Sequence, residues 1–238
     1  MTADLLAPLR EAPEQSALVL DVDGTLAPIV ARPELAEVPT RTRIELERLV
    51  DRYRLVACVS GRPGVDAARL VGVDGVRYVG NHGLELLGDA KELSERVAAF
   101  RASVDRPVED KGLTLAYHFR SAPNEAEARR ELEAVAGAAA NAGLDARWGR
   151  KVLEIRPAVD ADKGTAVVAL LEESGARRGL YAGDDSTDLD AFAGLASAGL
   201  EYAVRVAISS DEAPVNLLAQ ADLVADGPTE FAKLLARL

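Results

Sequence analysis

The chain predicts an α/β protein: a Rossmann-like core on a parallel sheet, with a smaller α/β domain inserted into it. Short uninterrupted apolar runs, Ala17-Leu18-Val19-Leu20, Leu55-Val56-Ala57-Cys58-Val59 and Gly179-Leu180-Tyr181-Ala182, alternate with amphipathic stretches. This is the pattern of βαβ units whose strands are buried on both faces. Each run ends in a turn that carries glycine, at Gly24, Gly61 and Gly183. From about residue 84 to 156 the style changes to strands of alternating polarity, such as residues 113–120, which implies a sheet packed on one face only. The predicted division is a core of residues 1–83 and 158–238, with an insert of 84–157.

In chain order, the first strand ends at Asp21, and a turn-rich stretch with Pro28, Pro33 and Pro39 leads to a helix over 40–53. Thr40 reads as its N-cap, and Ile44, Leu46, Leu49 and Val50 as its apolar stripe. A strand over 55–59, a short helix over 64–70 and a strand over 77–79 follow. The insert contributes helices over 90–104 and 124–141 and strands over 113–120 and 151–157. Core alternation resumes with a helix over 163–173 and strands over 179–182, 202–208 and 223–225. A helix over 228–238 closes the chain, with proline at its start. Trp148 is expected in the small core of the insert.

The formal charge of −11 over 238 residues excludes the basic stripe that a nucleic-acid backbone requires. The single cysteine, Cys58, sits in an apolar strand pattern and reads as an inert core residue, so no internal disulfide is possible. No segment has the pattern of a signal peptide or the length of a membrane span, and the expected location is cytoplasmic.

Two acidic turns carry the chemistry. Asp21-Val22-Asp23-Gly24-Thr25 and Gly183-Asp184-Asp185-Ser186-Thr187-Asp188 each follow a predicted buried strand. Carboxyl ends of strands are where open α/β sheets gather ligands. Clustered carboxylates repel one another, and a hard divalent cation such as Mg²⁺ compensates them. A calcium loop is excluded, since Leu26 stands where such a loop needs glycine. Asp21 suits nucleophilic attack on phosphorus, and Asp23, two residues on, suits proton donation to the leaving alkoxide and later activation of water. Gly24 permits the turn, and Thr25 is expected to bond locally within it. Asp184 is expected to complete a metal shell, supported by Asp188, with Asp185 near the phosphate. Ser60 and Gly61 offer a hydroxyl and backbone amides to a phosphate, although the same residues also make an ordinary strand-to-helix turn. Lys163, at a helix start, is placed to neutralise phosphate charge. Taken alone it reads rather as a solvated lysine.

The order Asp-x-Asp, Ser, Lys, Gly-Asp-Asp resembles the haloacid dehalogenase superfamily of phosphohydrolases, and the insert looks like that superfamily's larger α/β cap. Further segments resemble the trehalose-6-phosphate phosphatases: Leu26-Ala27-Pro28-Ile29-Val30, Gly80-Asn81-His82-Gly83-Leu84-Glu85, Lys111 with His118-Phe119-Arg120, and Leu153-Glu154-Ile155-Arg156-Pro157. The second acidic turn extended to Phe192 also resembles them, apart from Leu189, where that family carries glutamate. The resemblance implies a Mg²⁺-dependent phosphatase acting on trehalose 6-phosphate as a monomer, with no membrane or nucleic-acid partner. It implies that Asp21, the Asp23 carbonyl and Asp184 hold the metal. It further implies that Ser60, Gly61, Lys163 and Asp185 hold phosphate, and that Asn81, His82, Glu85, Lys111, His118, Arg120 and Glu154 hold the sugar. The rival readings are a phosphatase for sucrose phosphate or mannosyl-3-phosphoglycerate, a phosphosugar mutase, and a silent trehalose-phosphate sensor.

Overall fold

The computed structural model describes residues 4–30, 32, 35–120, 122–149 and 151–238; Pro33 lies outside the described residues. They form two compact units, one of residues 1–83 and 161–238, the other of residues 84–160.

The first unit is built on a six-stranded sheet of β1 (Ser16–Leu20), β2 (Leu55–Val59), β3 (Arg77–Val79), β8 (Arg178–Gly183), β9 (Tyr202–Ser209) and β10 (Leu223–Asp226). The strand order is β10-β9-β8-β1-β2-β3, and every neighbouring pair is parallel. All five residues of β1 are buried, as its continuous apolar run requires. Its side chains alternate between faces. Leu18 and Leu20 join Val56, Cys58, Leu180 and Ala182 in one core, which also takes in Leu46 and Leu49 of α2 (Thr40–Val50) and Phe231 and Leu235 of α9 (Gly227–Leu235). Removing each such leucine from water stabilises the fold by roughly 1.5–3 kcal/mol.

The opposite face carries Val19 and Tyr181, paired in register. It is covered by α6 (Lys163–Ser174) and α7 (Asp188–Ser197), with Tyr181 edge-on to Phe192 of α7 at 6.1 Å between ring centroids. These two helices approach at glycine. A Cβ on Gly164 would lie 2.3 Å from the Asp190 carbonyl oxygen, and one on Gly194 would lie 2.4 Å from that of Gly164. The remaining α-helices among the described residues of this unit are α1 (Ala7–Glu11), α3 (Gly64–Val71) and α8 (Val215–Gln220).

The second unit contains α4 (Ala90–Ser103), α5 (Glu125–Asn141) and an antiparallel sheet, ordered β4 (Glu109–Asp110), β5 (Leu115–His118), β7 (Val152–Pro157) and β6 (Leu144–Gly149). One face packs Leu115, Tyr117, Leu153 and Ile155 against Val97 and Phe100 of α4 and Leu132 and Val135 of α5. Period-two alternation leaves Ala116, His118, Arg147 and Glu154 on the other face. Trp148 is partly buried against this core, edge-on to Phe119, with the Arg129 guanidinium 4.4 Å from its ring centre.

Several local expectations are corrected. The helix over 40–53 ends at Val50, and its cap residue is Pro39, with Thr40 already inside the helix. Ile44 is exposed, and Thr42 takes its place on the buried face. Of the strand expected over 113–120, only Leu115–His118 is a strand. Strands β4 and β6 and helices α1, α7 and α8 had no assignment from the sequence.

Candidate active site

Asp21 follows the last residue of β1, and its backbone N–H still donates to the Ala182 carbonyl of β8 at 2.9 Å. Continuing the alternation of Ala17 and Val19 places its side chain on the α6/α7 side of the sheet. There Lys163, the first residue of α6, reaches it. Lys163 Nζ donates to Asp21 Oδ1 at 2.8 Å and to Asp188 Oδ1 at 2.7 Å, and all three side chains are almost wholly buried. Lys163 is therefore no solvated lysine. Its helix start is fixed by Asp162, whose side chain accepts from the Thr165 backbone in a reciprocal capping box.

Asp188 is the hub. Its Oδ1 accepts from Lys163 and from the Tyr181 hydroxyl at 2.7 Å, and its Oδ2 accepts from the Asp184 and Asp185 backbone amides, each at 2.8 Å. With both oxygens doubly engaged, Asp188 shapes the loop and anchors the ammonium. Tyr181 escaped sequence reasoning because a tyrosine within an apolar run reads as core.

Asp184 lies across from Asp21. One oxygen each from Asp21, Asp184 and Asp188 falls within 4.8 Å of the others. Among the described residues, the Asp184 side chain accepts only a long hydrogen bond, 3.4 Å, from the Thr25 hydroxyl. Thr25 thus bridges to the second acidic turn, and among the described residues its hydroxyl makes no local bond of the kind expected. The first turn is held by its backbone, with the Leu26 and Ala27 amides donating to Val22 at 2.9 Å. Gly24 is needed twice over: its φ is +83°, and a Cβ would lie 2.0 Å from the Asp184 carboxylate.

Three buried or half-buried carboxylates thus face one ammonium. Burial pushes Asp184 up to about 9, and the neighbouring Asp21 and Asp188 carboxylates add to the shift. Burial also raises Asp21, to about 7, with Lys163 opposing and Asp188 reinforcing the rise. For Lys163, burial favours the neutral amine, but Asp188 and Asp21 outweigh it and keep the ammonium charged. The surplus of acidic groups, whose ionised forms need a compensating charge, and the all-oxygen donor set fit a hard divalent cation. Asp21 and Asp184 have acceptor capacity to spare for one, whereas Asp188 does not.

Asp23 points elsewhere. Its two oxygens accept from Arg62 Nε and Nη2, both at 2.6 Å. Ser60 is buried at the end of β2, and its Oγ accepts from the Arg62 amide at 3.1 Å. The next loop leans on this turn. Asn81 and His82 donate backbone N–H to the Arg62 and Ser60 carbonyls at 2.9 Å, and both adopt left-handed backbone angles, φ 51° and 54°. The His82 ring lies over Gly61, 2.7 Å from where a Cβ would stand. Asp185 does not join the buried cluster; it is exposed and accepts from the Ser186 amide and hydroxyl. Cys58 is buried, and burial together with the Asp21 charge raises its thiol far above the ordinary range.

Among the residues expected to hold sugar, His118 and Glu154 share the face of the second sheet opposite the one packed on α4 and α5, and Arg120 follows β5. His118 Nε2 lies 2.7 Å from the Glu109 carboxylate. Glu154 is flanked in register by Ala116 and Arg147, the latter not singled out from the sequence. Lys111 is half-buried, with its backbone amide on the Thr114 carbonyl, and Glu85 is exposed. No helix among the described residues is long and apolar enough to cross a membrane.

A family model described as trehalose-phosphatase matches residues 19–216. The trehalose-phosphate phosphatase of Mycobacterium tuberculosis is 32% identical over 253 aligned positions, which cover 94% of this chain. They cover 61% of that relative, so the chain spans about three-fifths of its length. The C-terminal domain of Candida albicans trehalose-6-phosphate phosphatase is 18% identical, with a TM-score of 0.71 over 100% of this chain and 96% of that one. A haloacid dehalogenase-like hydrolase from Bacteroides thetaiotaomicron is 17% identical, with a TM-score of 0.61 over 93% and 98% of the two chains. At these identities the two structures share the fold with this chain, and they establish its core as a haloacid dehalogenase fold. The family match is the finer finding, since it runs from within β1 through both acidic turns and Lys163: the chain belongs to the trehalose-phosphatase family.

Proposed function

We propose that this chain hydrolyses trehalose 6-phosphate to trehalose and inorganic phosphate through a phosphoenzyme on Asp21. The observation that carries this reading is the buried Asp21–Lys163 pair: one carboxylate oxygen is pinned by the ammonium, while the other has no hydrogen-bond donor among the described residues. That free oxygen forms a bond to phosphorus as the sugar P–O bond breaks, and Asp23 protonates the departing alkoxide. Asp23 then takes a proton from water as the water oxygen attacks phosphorus, which restores the Asp21 carboxylate and frees phosphate. Lys163, the Ser60 hydroxyl and the Gly61 amide bind phosphate oxygens, with Asp185 at the rim. Asp21, Asp184 and the Asp23 main-chain carbonyl would hold Mg²⁺, which when bound supplies positive charge opposite the phosphate. Asn81, His82, Glu85, Lys111, His118, Arg120 and Glu154 are assigned to the sugar. The enzyme is proposed to act as a cytoplasmic monomer.

Phosphate release from trehalose 6-phosphate, sucrose 6-phosphate, glucose 6-phosphate and mannosyl-3-phosphoglycerate tests the substrate. Trehalose 6-phosphate is expected to have the highest kcat/KM, because polar groups built to pair with the second sugar are left unpaired without it. A clear preference for another substrate overturns the trehalose assignment and leaves the phosphatase standing. Chelation is expected to abolish release, with Mg²⁺ restoring it and Ca²⁺, which favours longer bonds and more ligands, failing to do so.

Glu154→Ala separates recognition from chemistry. Its kcat/KM for trehalose 6-phosphate is expected to fall by about 10- to 100-fold, the loss of one charge-assisted hydrogen bond. Release from p-nitrophenyl phosphate, which has no second sugar, should be unaffected. Equal losses on both substrates would remove Glu154 from the sugar site.

A further inference from the structure

We infer that Arg62 is a positioning residue for Asp23: its guanidinium fork sets the direction of the carboxylate that serves as acid and base. The inference rests on the proposed role of Asp23. The fork is bidentate, with both contacts at 2.6 Å, which fixes the plane of the carboxylate as well as its distance. Both partners stand on constrained backbone. Arg62 donates its amide to Ser60 Oγ at 3.1 Å and accepts from the Asn81 amide at 2.9 Å. Asp23 sits in the turn closed onto Val22, and Gly24 donates to the Ala27 carbonyl at 2.7 Å.

The Arg62 and Asp23 side chains are half-buried, 20% and 32% exposed, and a bidentate fork in that setting adds some stability. It also supplies order. Without it, a carboxylate on a turn, one-third open to water, samples several rotamers, and few of them face a leaving oxygen. The fork also ties the Asp21–Asp23 turn to the Ser60–Arg62 turn, so the acid–base group is registered against the loop assigned to phosphate.

Four proteins test this: Arg62→Ala, Arg62→Lys, Asp23→Asn and the double variant Arg62→Ala/Asp23→Asn. For Arg62→Ala, kcat on trehalose 6-phosphate is expected to fall by about 100-fold with KM little changed, as for a misplacement of about 1 Å. Arg62→Lys should fall between, because an ammonium holds one oxygen and leaves the plane free. The first-turnover burst of p-nitrophenol from p-nitrophenyl phosphate should survive in Arg62→Ala, since that leaving group departs without a proton. The double variant should be no slower than Asp23→Asn alone, because the two residues act as one unit. Thermal unfolding of each variant separates loss of fold from loss of order. Losses that multiply in the double variant, or an unimpaired Arg62→Ala, overturn the inference while the role of Asp23 stands. Full turnover by Asp23→Asn overturns that role and the inference with it.

Discussion

Asp21→Asn will lose turnover by about four orders of magnitude or more, the scale seen when a covalent nucleophile is removed, and will still fold. An amide of the same shape has no charge with which to attack phosphorus. Its oxygen still accepts from Lys163, so the local hydrogen bond survives. A neutral side chain is also easier to bury than a carboxylate, and this offsets part of the lost ion pairing. Asp188 continues to hold the ammonium at 2.7 Å. The check is steady-state phosphate release alongside thermal unfolding. Substantial release from the purified, folded variant would falsify Asp21 as nucleophile. Acid quenching during turnover offers a second readout: labelled phosphate should remain on the native chain and be absent from Asp21→Asn.

Lys163→Met should damage both stability and activity, a different signature. Methionine fills similar space but leaves Asp21 and Asp188 without their shared cation in a site where Lys163 is 3% exposed. Breaking a buried ion pair on one side costs about 3–5 kcal/mol. At about 2–4 °C per kcal/mol for a chain of this size, the melting temperature should fall by roughly 6–20 °C. The variant remains folded at room temperature if its total stability is within the usual range. Its activity should still be lost, since the oxygen of Asp21 that must not react is no longer pinned. An unchanged melting temperature would show that the triad of Lys163, Asp21 and Asp188 is not under the electrostatic tension described.

The parts of this site readable in the sequence are those whose chemistry and place in the chain coincide. Asp21, Asp23 and Gly24 declare themselves by standing behind a continuous apolar run. Asp184 and Asp188 do so by crowding acids beyond what a helix start needs. Lys163 was half readable: its position at a helix start was plain, but its burial depends on Gly164 and Gly194 letting two helices close together. What stayed hidden were partnerships set by tertiary geometry. The Arg62 fork on Asp23 joins two turns 39 residues apart. The Thr25 hydroxyl bonds across 159 residues to Asp184, where local turn chemistry suggested a neighbour. Helix boundaries shifted for simpler reasons. Ile44 looked apolar enough for a buried stripe, yet the helix turns Thr42 inward, and residue type alone does not set that phase.

The central strand pair, β1 with β8, brings Ser16 into register with Arg178. Chain length between them is a mild entropic burden, since each doubling of a loop costs only about 0.6 kcal/mol. Timing during synthesis is the heavier consequence. A ribosome delivers β1, β2 and β3 early, and these can pair at once, but β8 arrives only after the whole intervening unit has been made. Until then β1 is an open edge: a strand of five residues, apolar from Ala17 to Leu20, with one row of amides and carbonyls unpaired. Such an edge is a template for pairing with other chains. The most vulnerable moment in the life of this protein therefore falls before residue 183 emerges, and a nascent chain halted there would be an aggregation seed carrying Asp21 and Lys163 but not Asp188.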